Sequence, residues 1–209
     1  MRAFVVLGHK APLDPGFTLN DLPGAAGRLD VLCRCVNAAL FLSHDLRRDV
    51  SVFLVLQDQL TVRIHGAHVK RLNPDERSTA ALIKKALLRV QHHEGHDELR
   101  STPGISVARR GLEGVLETLQ REGFEPVWLH ESAPPLRQAP LPRAPAFVLS
   151  DHQDFSAREE TQLAAFTRLC VGPKVYPASH CIAVVNNELD VRAHGDQGAG
   201  VTLAEGRVK

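Results

Sequence analysis

Residues 146–173, AFVLSDHQDFSAREETQLAAFTRLCVGP, decide the fold class because they contain the signals of a strand, a helix and a second strand in succession. The first four residues form a continuous apolar run, which is typical of a strand buried on both faces. Ser156 and Glu159 have the spacing of a capping box and open a helix that we expect to reach Phe166. Leu169 to Val171 is then a short strand, followed by a Gly-Pro pair. This alternation is typical of an α/β domain with a largely parallel sheet.

The same alternation of strand and helix signals continues through the rest of the chain. Apolar runs predict further strands at residues 3–7, 50–56, 60–64, 105–108 and 126–129. Apolar residues at helical spacing predict further helices at residues 27–43, 74–92, 111–123 and 181–189. In the second of these helices, we expect Asn73 to be the N-cap and Pro74 the first helical residue. The segment from Ser132 to Pro145 holds five prolines without periodicity, which predicts an irregular loop.

Length and composition indicate a globular chain with one sizeable core. The chain has 209 residues, of which 44% are hydrophobic and 23% charged. Its formal net charge of +1 excludes an indiscriminate binder of polyanions, so any contact with nucleic acid must be local. No apolar stretch approaches the roughly 18 to 20 residues that span a bilayer, and the N-terminal run is too short for a signal peptide. With only four cysteines, this predicts reduced thiols and a cytoplasmic protein.

Short motifs that identify common enzyme classes do not occur in the sequence. There is no GxGxxG, Walker, HExxH or GxSxG pattern. His92 and His96 are four residues apart, but they lie at the polar end of a predicted helix beside a glycine. That position favours solvated histidines over metal ligands, so we expect no bound metal.

Three predicted strands end in polar or glycine-containing loops, and these loops favour a ligand site. The loops follow Leu129, Leu149 and Leu169. In an open α/β sheet, loops at the carboxyl ends of parallel strands converge on a ligand crevice. Gly172 lets a ligand come close to the backbone, and free backbone groups at strand ends can read an adenine edge. Three ordinary turns between strands and helices are the alternative.

Longer motifs resemble those of a known enzyme family. The matching runs are NDLPG at 20–24, GRLDVLCRC at 27–35, NPDERSTA at 73–80, STPGI at 101–105, LSDH at 149–152, GPK at 172–174 and HC at 180–181. Together they resemble the archaeal tRNA pseudouridine N1-methyltransferases (TrmY), which belong to the SPOUT superfamily. The resemblance extends from Phe4 to about Asp190. Several long motifs in the same order are far more specific than any single short pattern.

The resemblance implies a fold, a cofactor and a substrate. The fold is an α/β SPOUT fold with a mostly parallel sheet flanked by helices, a deep C-terminal trefoil knot and a homodimeric assembly. We expect a single domain over residues 1–195, a knotted cofactor region over about 125–195 and a polar tail over 196–209. S-adenosylmethionine is expected to bind in the knot and to donate a methyl group to N1 of pseudouridine 54 in the tRNA T-loop.

The resemblance also assigns residues to the cofactor pocket, mostly through their backbone groups. These residues are Leu129, Ser150, Leu169, Cys170, Val171, Gly172 and Cys181. One of them departs from the family, which usually has glycine where this chain has Ser150. The serine side chain there is expected either to crowd the cofactor or to form a hydrogen bond with it. A buried thiol of the last helix is the alternative role for Cys181.

The chemistry of methyl transfer suggests which other residues act. Transfer from a sulfonium to a ring nitrogen is an in-line displacement, which needs alignment rather than a nucleophilic residue. A carboxylate that accepts the N1 proton and a cation that stabilises the ring anion both help. We assign the first role to Asp30 or Asp21 and the second to Arg28, all near the start of the first helix. The candidate RNA contacts are Arg28, Arg34, Arg109 and Arg110.

These assignments have structural alternatives. Asp30 and Arg34 are four residues apart, as in a solvated ion pair on a helix, and Asp21 has the position of a turn cap. Two other functions are compatible with the same sequence. One is a knotted methyltransferase that acts on another base or on a ribose 2′-hydroxyl. The other is a dimeric RNA-binding module that has lost catalysis.

Overall fold

The computed structural model describes residues 1–198, with side chains through residue 195, and is built on an eight-stranded sheet. The strands are β1 (Arg2–Gly8), β2 (Val50–Leu56), β3 (Leu60–His65), β4 (Leu99–Thr102), β5 (Ile105–Ala108), β6 (Glu125–Leu129), β7 (Pro145–Ser150) and β8 (Thr167–Leu169). The helices are α1 (Leu29–Leu40), α2 (Glu76–Val90), α3 (Leu112–Arg121), α4 (Ala157–Leu163) and α5 (Ala178–Gly198). The strand order is β4-β5-β3-β2-β1-β7-β6-β8.

The central strand β1 is buried along its whole length. It pairs in parallel with both β2 and β7, so Val5 lies between Phe53 and Val148. β6 and β8 continue the parallel part, whereas β3, β4 and β5 form an antiparallel edge. A strand covered on both faces needs apolar residues at nearly every position, which explains the continuous apolar run. The predicted α/β fold with a mostly parallel sheet flanked by helices is confirmed.

Helices cover both faces of the sheet. On one face, Phe4 and Val6 pack with residues of α1, α2 and α5. On the other face, Val5 and Leu7 pack with residues of α3 and with Leu163 of α4. β1 contributes to both layers because alternate residues of a strand point to opposite faces. Five strands, β1, β2, β6, β7 and β8, run parallel to one another. Their carboxyl ends therefore lie at the same edge of the sheet, which we call the carboxyl edge.

The start of α2 differs from the sequence prediction. Asn73 is not the N-cap, because the helix begins at Glu76 and Asp75 caps it. The Asp75 carboxylate accepts a hydrogen bond from the backbone N–H of Ser78 at 2.6 Å. Pro74 lies before the helix in a turn closed by the bond from Asp75 N to the Asn73 carbonyl. Both residues are suitable caps, and the one that reaches a free helical N–H prevails.

The capping box at the start of α4 is confirmed. The Ser156 hydroxyl accepts from the backbone of Glu159 at 3.3 Å, and the Glu159 carboxylate accepts from the backbone of Ser156 at 2.7 Å. The helix ends at Leu163 and does not reach Phe166 as predicted. Phe166 N instead bonds to the Leu163 carbonyl in a turn that leads directly into β8.

The strand after α4 is also displaced from its prediction, because β8 ends at Leu169 and does not include Val171. Cys170 leaves the sheet and forms backbone hydrogen bonds with the loop at residues 132–145, which we call the proline-rich loop. Its N–H donates to the Pro134 carbonyl at 2.9 Å, and its carbonyl accepts from Leu136 N at 2.8 Å. This loop is irregular as predicted, apart from a 3-10 turn at Leu136–Gln138.

The structure contains one strand that the sequence does not predict, and its last helix is longer than predicted. The sequence does not predict β4, because Arg100 is exposed, the other three residues are only partly buried, and the four form no apolar run. α5 begins at Ala178 and continues to Gly198, into the segment expected to be a polar tail. The part of that tail from residue 199 onward lies outside the described residues. Across residues 1–198, no helix combines the length and the apolar character that crossing a bilayer requires.

Candidate functional site

The carboxyl ends of β6, β7 and β8 surround a cavity of about 340 Å³. This volume lies in the range of small-molecule sites. Six of the seven predicted pocket residues are in its wall, namely Leu129, Ser150, Cys170, Val171, Gly172 and Cys181. Leu169 is not in the wall, because it is a buried residue of β8. Its carbonyl accepts a hydrogen bond from His130 N at 3.0 Å.

The wall also contains residues that the sequence did not assign individually to the pocket. They are His130, Glu131, Leu149, Asp151, Gln153, Asp154, Phe155, Glu160, Lys174, Val175, Tyr176 and Ala178. Most of them lie in the loops beyond the strand ends or in the first turns of α4 and α5. The sequence predicts that these loops surround a ligand site. Which of their residues reach the cavity depends on the three-dimensional path of each loop. The result is a wall with four carboxylates and one lysine beside its apolar residues.

Ser150 uses its hydroxyl within its own loop. The hydroxyl donates a hydrogen bond to the carbonyl of Gln153. Gln153 N in turn donates to Asp151 Oδ1 at 2.9 Å, so residues 150–153 form a closed turn. The serine oxygen is therefore engaged by the turn, and this turn shapes the wall at the position where the family usually has glycine.

Gly172 and Cys181 lie on either side of Tyr176 at the cavity. A Cβ added to Gly172 would meet the Tyr176 ring at 3.7 Å, an ordinary contact, so packing within the chain does not require glycine there. The Cys181 thiol donates to the Tyr176 carbonyl at 3.5 Å. Burial raises the pKa of the Cys181 thiol, which keeps it neutral. Cys181 is thus a packing residue of the wall rather than a nucleophile.

A cluster that the sequence did not predict lies beside the wall. His9, directly after β1, contacts Asp151 through Nδ1 at 3.0 Å and Glu159 through Nε2 at 3.1 Å. The Asp151 side chain is 1% exposed and the Glu159 side chain 8%. Burial of the ring opposes its protonation, but the hydrogen bonds to the two carboxylates prevail and raise the pKa of His9. No local sequence pattern connects these residues, which come from separate parts of the chain.

The start of α1 carries an ionic network. Asp30 is buried, and its carboxylate accepts from Arg28 Nε at 3.0 Å and from Arg34 Nη2 at 2.8 Å. Arg34 also contacts Glu76 at 3.0 Å. Burial acts to raise the pKa of Asp30, but the two guanidinium groups lower it below the ordinary value. Asp30 is therefore held as a carboxylate. Its hydrogen bond and its charge raise the pKa of Arg28, and the charge of Asp151 makes a smaller contribution in the same direction.

Other predicted residues have structural partners. Asp21 caps a turn, since its carboxylate accepts from Gly24 N and Ala25 N, each at 2.9 Å. Arg109 donates to the Val90 carbonyl at 3.2 Å and also to the backbone of the residues that follow α2. Arg110 donates to a threonine of α3. Both arginines thus use their guanidinium groups within the fold, away from the cavity wall.

A cavity at the carboxyl edge of a parallel sheet is typical of the class of α/β proteins that bind a small molecule at their strand ends. The family model described as "Putative SAM-dependent RNA methyltransferase" matches residues 1–194. The chain belongs to this family.

Relatives and a solved structure agree with this family. The chain is 51% identical over 196 residues to the tRNA (pseudouridine(54)-N(1))-methyltransferase of Haloferax volcanii, which covers 93% of this chain and 98% of that protein. It is 52% identical over 192 residues to the protein of the same name from Haloarcula marismortui, covering 91% and 96%. The crystal structure of Archaeoglobus fulgidus Nep1 bound to S-adenosylhomocysteine has a TM-score of 0.64 at 18% identity and covers 92% of this chain and 99% of that one. This last likeness concerns the fold.

Proposed function

We propose that this chain transfers the methyl group of S-adenosylmethionine to N1 of pseudouridine 54 in tRNA. The observation that carries the proposal is the cavity at the carboxyl edge, whose wall holds six residues expected from the family motifs. The relatives at about half identity over nearly the full chain support the substrate, because their names specify it. The family description supports the cofactor.

The cavity has the chemistry that S-adenosylmethionine requires. Carboxylates of Glu131, Asp154 and Glu160 in the wall suit a ligand with a sulfonium, an ammonium group and ribose hydroxyls. Lys174 suits the carboxylate of the same ligand. Gln153 Nε2 is buried and lacks a hydrogen-bond partner among the described residues, so it is a donor available to a bound molecule. Apolar residues of the wall supply the surface for an adenine ring.

When bound, the cofactor supplies an electrophilic methyl group, and the residues of this chain align the acceptor and manage its proton. We propose that Arg28 stabilises the ring anion that develops at the target base and that Asp30 holds Arg28 in place through two hydrogen bonds. Asp30 or Asp21 as acceptor of the N1 proton stays a prediction. Both oxygens of Asp21 are used by the turn, and those of Asp30 by two arginines. Arg28 and Arg34 remain proposed RNA contacts near the site. Arg109 and Arg110 remain proposed RNA contacts away from the cavity wall.

A trefoil knot over about residues 125–195 is part of the same proposal. The proline-rich loop supports it, because the loop bonds both to the chain leaving β8 at Cys170 and to α5. Arg192 of α5 donates to the Leu136 carbonyl at 2.7 Å and to the Ala139 carbonyl at 3.0 Å. The proline-rich loop is thus hydrogen-bonded both to Cys170, before the segment that joins β8 to α5, and to Arg192, after it. A chain that is threaded through a loop needs contacts of this kind.

We also propose a cytoplasmic homodimer. Val175 and Tyr176, at the mouth of the cavity, are 76% and 41% exposed. Large apolar side chains at such a position favour cover by a second copy or by the substrate. The four cysteines are free, which suits a reducing compartment.

A methyl-transfer assay tests the proposed function. The purified chain is incubated with methyl-labelled S-adenosylmethionine and with tRNA that carries either pseudouridine or uridine at position 54. We expect label only in the pseudouridine tRNA, and mass mapping should find one methyl group at N1 of that base. Label on another base or on a ribose would favour the alternative acceptors, and failure to bind the cofactor in calorimetry would favour a module without catalysis.

A further inference from the structure

A second hollow, of about 640 Å³, lies at the end of the sheet opposite the cofactor cavity. We call it the basic hollow, because its wall holds Arg48, Lys70, Arg71 and Arg100. These side chains come from three segments, namely the turn before β2, the loop after β3 and the strand β4. Cations that converge from separate segments produce a local positive field even in a chain whose net charge is only +1.

No carboxylate lines the basic hollow. Two acids lie close to Arg48 in sequence: Asp45 is paired with Arg48 itself at 2.9 Å, and Asp49 is paired with Arg2 at 3.2 Å. Among the described residues, Lys70, Arg71 and Arg100 therefore have no carboxylate partner. The cofactor cavity and three other hollows on the described surface each have at least one carboxylate in the wall, such as that of Glu131, Glu98 or Asp58. The basic hollow is therefore the place among these where an anion meets no like charge in the wall.

The loop that carries Lys70 and Arg71 is fixed on both sides. Val69 is 3% exposed and Leu72 is 8% exposed, so two buried residues flank the two exposed cations. The loop also packs closely on the turn between β4 and β5, where a Cβ at Gly104 would come within 2.2 Å of Val69 N. Arg71 has a φ of 60°, a left-handed backbone that a residue with a Cβ adopts at a cost. The fold thus holds these side chains outward in a defined position.

The cations of the basic hollow also differ from other arginines in their pairing. Within residues 1–195, Lys70, Arg71 and Arg100 have neither a carboxylate partner nor a side-chain hydrogen bond. By contrast, Arg63 is paired with Glu122, which directly follows α3, and Arg47 with Asp190 of α5. Unpaired guanidinium groups keep all their donors available, and their planar fork suits phosphate oxygens.

We propose that the basic hollow binds the phosphate backbone of the substrate RNA, at a distance from the nucleotide that enters the cofactor cavity. This inference rests on the proposed function. The hollow lies at the start of β2 and the cavity at the ends of β6, β7 and β8. The two are therefore roughly 20 Å apart along the strand direction, and they are also displaced across the sheet because β1 lies between β2 and β7. A structured RNA spans that distance. Phosphate contacts of this kind raise affinity and fix the orientation of the RNA, while base recognition stays at the cavity.

The test compares RNA binding by charge-neutral variants. Arg71→Gln, Arg100→Gln and the double variant are titrated with full-length tRNA in the presence of S-adenosylhomocysteine, at several salt concentrations. Arg143→Gln is the matched control, because Arg143 is also an exposed arginine without a partner in the described part of the chain but lies outside the hollow. A short hairpin that contains only the target loop is the second ligand, since it is too small to reach the hollow.

We expect each single variant to weaken tRNA binding by roughly threefold to tenfold and to lower the slope of log affinity against log salt by about 0.7 to 0.9. KM for tRNA should rise while kcat, cofactor affinity and hairpin binding stay unchanged, and Arg143→Gln should behave as the unmodified protein. If the double variant binds tRNA normally while the unmodified protein still methylates it, the inference is overturned and the proposed function stands. The basic hollow then does not contact the substrate RNA. If the unmodified protein does not bind tRNA, both are overturned.

Discussion

His9 Nδ1 lies 3.0 Å from Asp151 Oδ1, although the two residues are 142 positions apart in the chain. The backbone N–H of His9 also donates to Asp151 Oδ2 at 3.0 Å, and Nε2 of the ring reaches Glu159 at 3.1 Å. A histidine ring donates at both nitrogens only when it is protonated. Below the raised pKa of His9, the end of β1 is therefore joined to the cavity wall by an imidazolium between two carboxylates.

This pairing predicts a pH-dependent contribution to stability. The pKa of His9 in the folded chain is raised above its ordinary value of 6.5, so the stabilisation is fully present below pH 6.5 and is lost as the pH rises through the folded pKa. We expect His9→Ala to lower the free energy of unfolding by about 1 to 2 kcal/mol at pH 5.5 and by less at pH 8.5. Urea unfolding at the two pH values measures this difference.

His44→Ala is the control for the His9 experiment. His44 is exposed, and its side chain makes no hydrogen bond within the described residues. Its replacement should change stability by less than about 0.5 kcal/mol at both pH values. A loss for His9→Ala that is the same at pH 5.5 and pH 8.5 would mean that the ring stabilises the fold by packing alone.

Gly27 is a position where we expect alanine to be strongly destabilising. Its φ is +53°, and an added Cβ would lie 1.7 Å from the carbonyl oxygen of Lys10. The backbone on one side or the other must move, because a carbonyl cannot rotate away as a flexible side chain does. Gly27→Ala should lower the free energy of unfolding by roughly 3 kcal/mol, as measured by the denaturant midpoint at constant m-value.

Gly123 separates the steric effect from the backbone conformation. It has a φ of +79°, but nothing lies within 4 Å of the Cβ that alanine would add. Gly123→Ala should therefore cost only about 1 kcal/mol, the cost of a left-handed backbone. Equal losses for the two variants would show that the contact with Lys10 relaxes freely.

Ser150 supplies a prediction about the departure from the family. Because its hydroxyl is bonded to the Gln153 carbonyl, Ser150→Ala should lower the free energy of unfolding by about 1 kcal/mol. Ser150→Gly restores the residue usual in the family and should lower stability slightly more, through the entropy of glycine. Calorimetry should find the affinity for S-adenosylmethionine within about threefold of the unmodified protein in both variants. A tenfold gain in affinity for Ser150→Gly alone would show that the serine crowds the cofactor.

The parts of the fold that the sequence predicts are those with local causes. The apolar run of β1 and the Ser156 to Glu159 capping box act over a few residues, so their patterns are visible in one dimension. The N-cap of α2 was misassigned because Asn73 and Asp75 are both good caps, and the choice depends on which one reaches a free N–H. The contacts of His9 join segments far apart in the chain, and no periodicity reports such distances. The family motifs identify the loops of the cavity, but they do not show which residues of those loops line it and which are buried behind the wall.

The last prediction concerns Arg28 and Asp30. Two parallel hydrogen bonds, at 3.0 and 3.1 Å, fix the Arg28 guanidinium on the Asp30 carboxylate. Asp30→Asn removes the charge and one acceptor, so we expect the single-turnover rate of methyl transfer to fall about a hundredfold while cofactor affinity is unchanged. The single-turnover rate of Arg28→Lys should fall by a similar factor, because a lysine ammonium cannot form the two parallel hydrogen bonds of the planar guanidinium.

Two further variants decide whether this loss is specific to the Arg28 pair. Glu76→Gln also removes an ion pair from the network, but its partner is Arg34, so the rate should stay within about twofold. Asp21→Asn should likewise retain most of the rate if the carboxylate only caps its turn. A large loss for Asp21→Asn with little loss for Asp30→Asn would transfer the proton-acceptor role to Asp21. Rates within a few-fold of the unmodified protein for both aspartate variants would remove both carboxylates from the chemistry, because a group that accepts the N1 proton or fixes Arg28 cannot be neutralised without slowing the transfer.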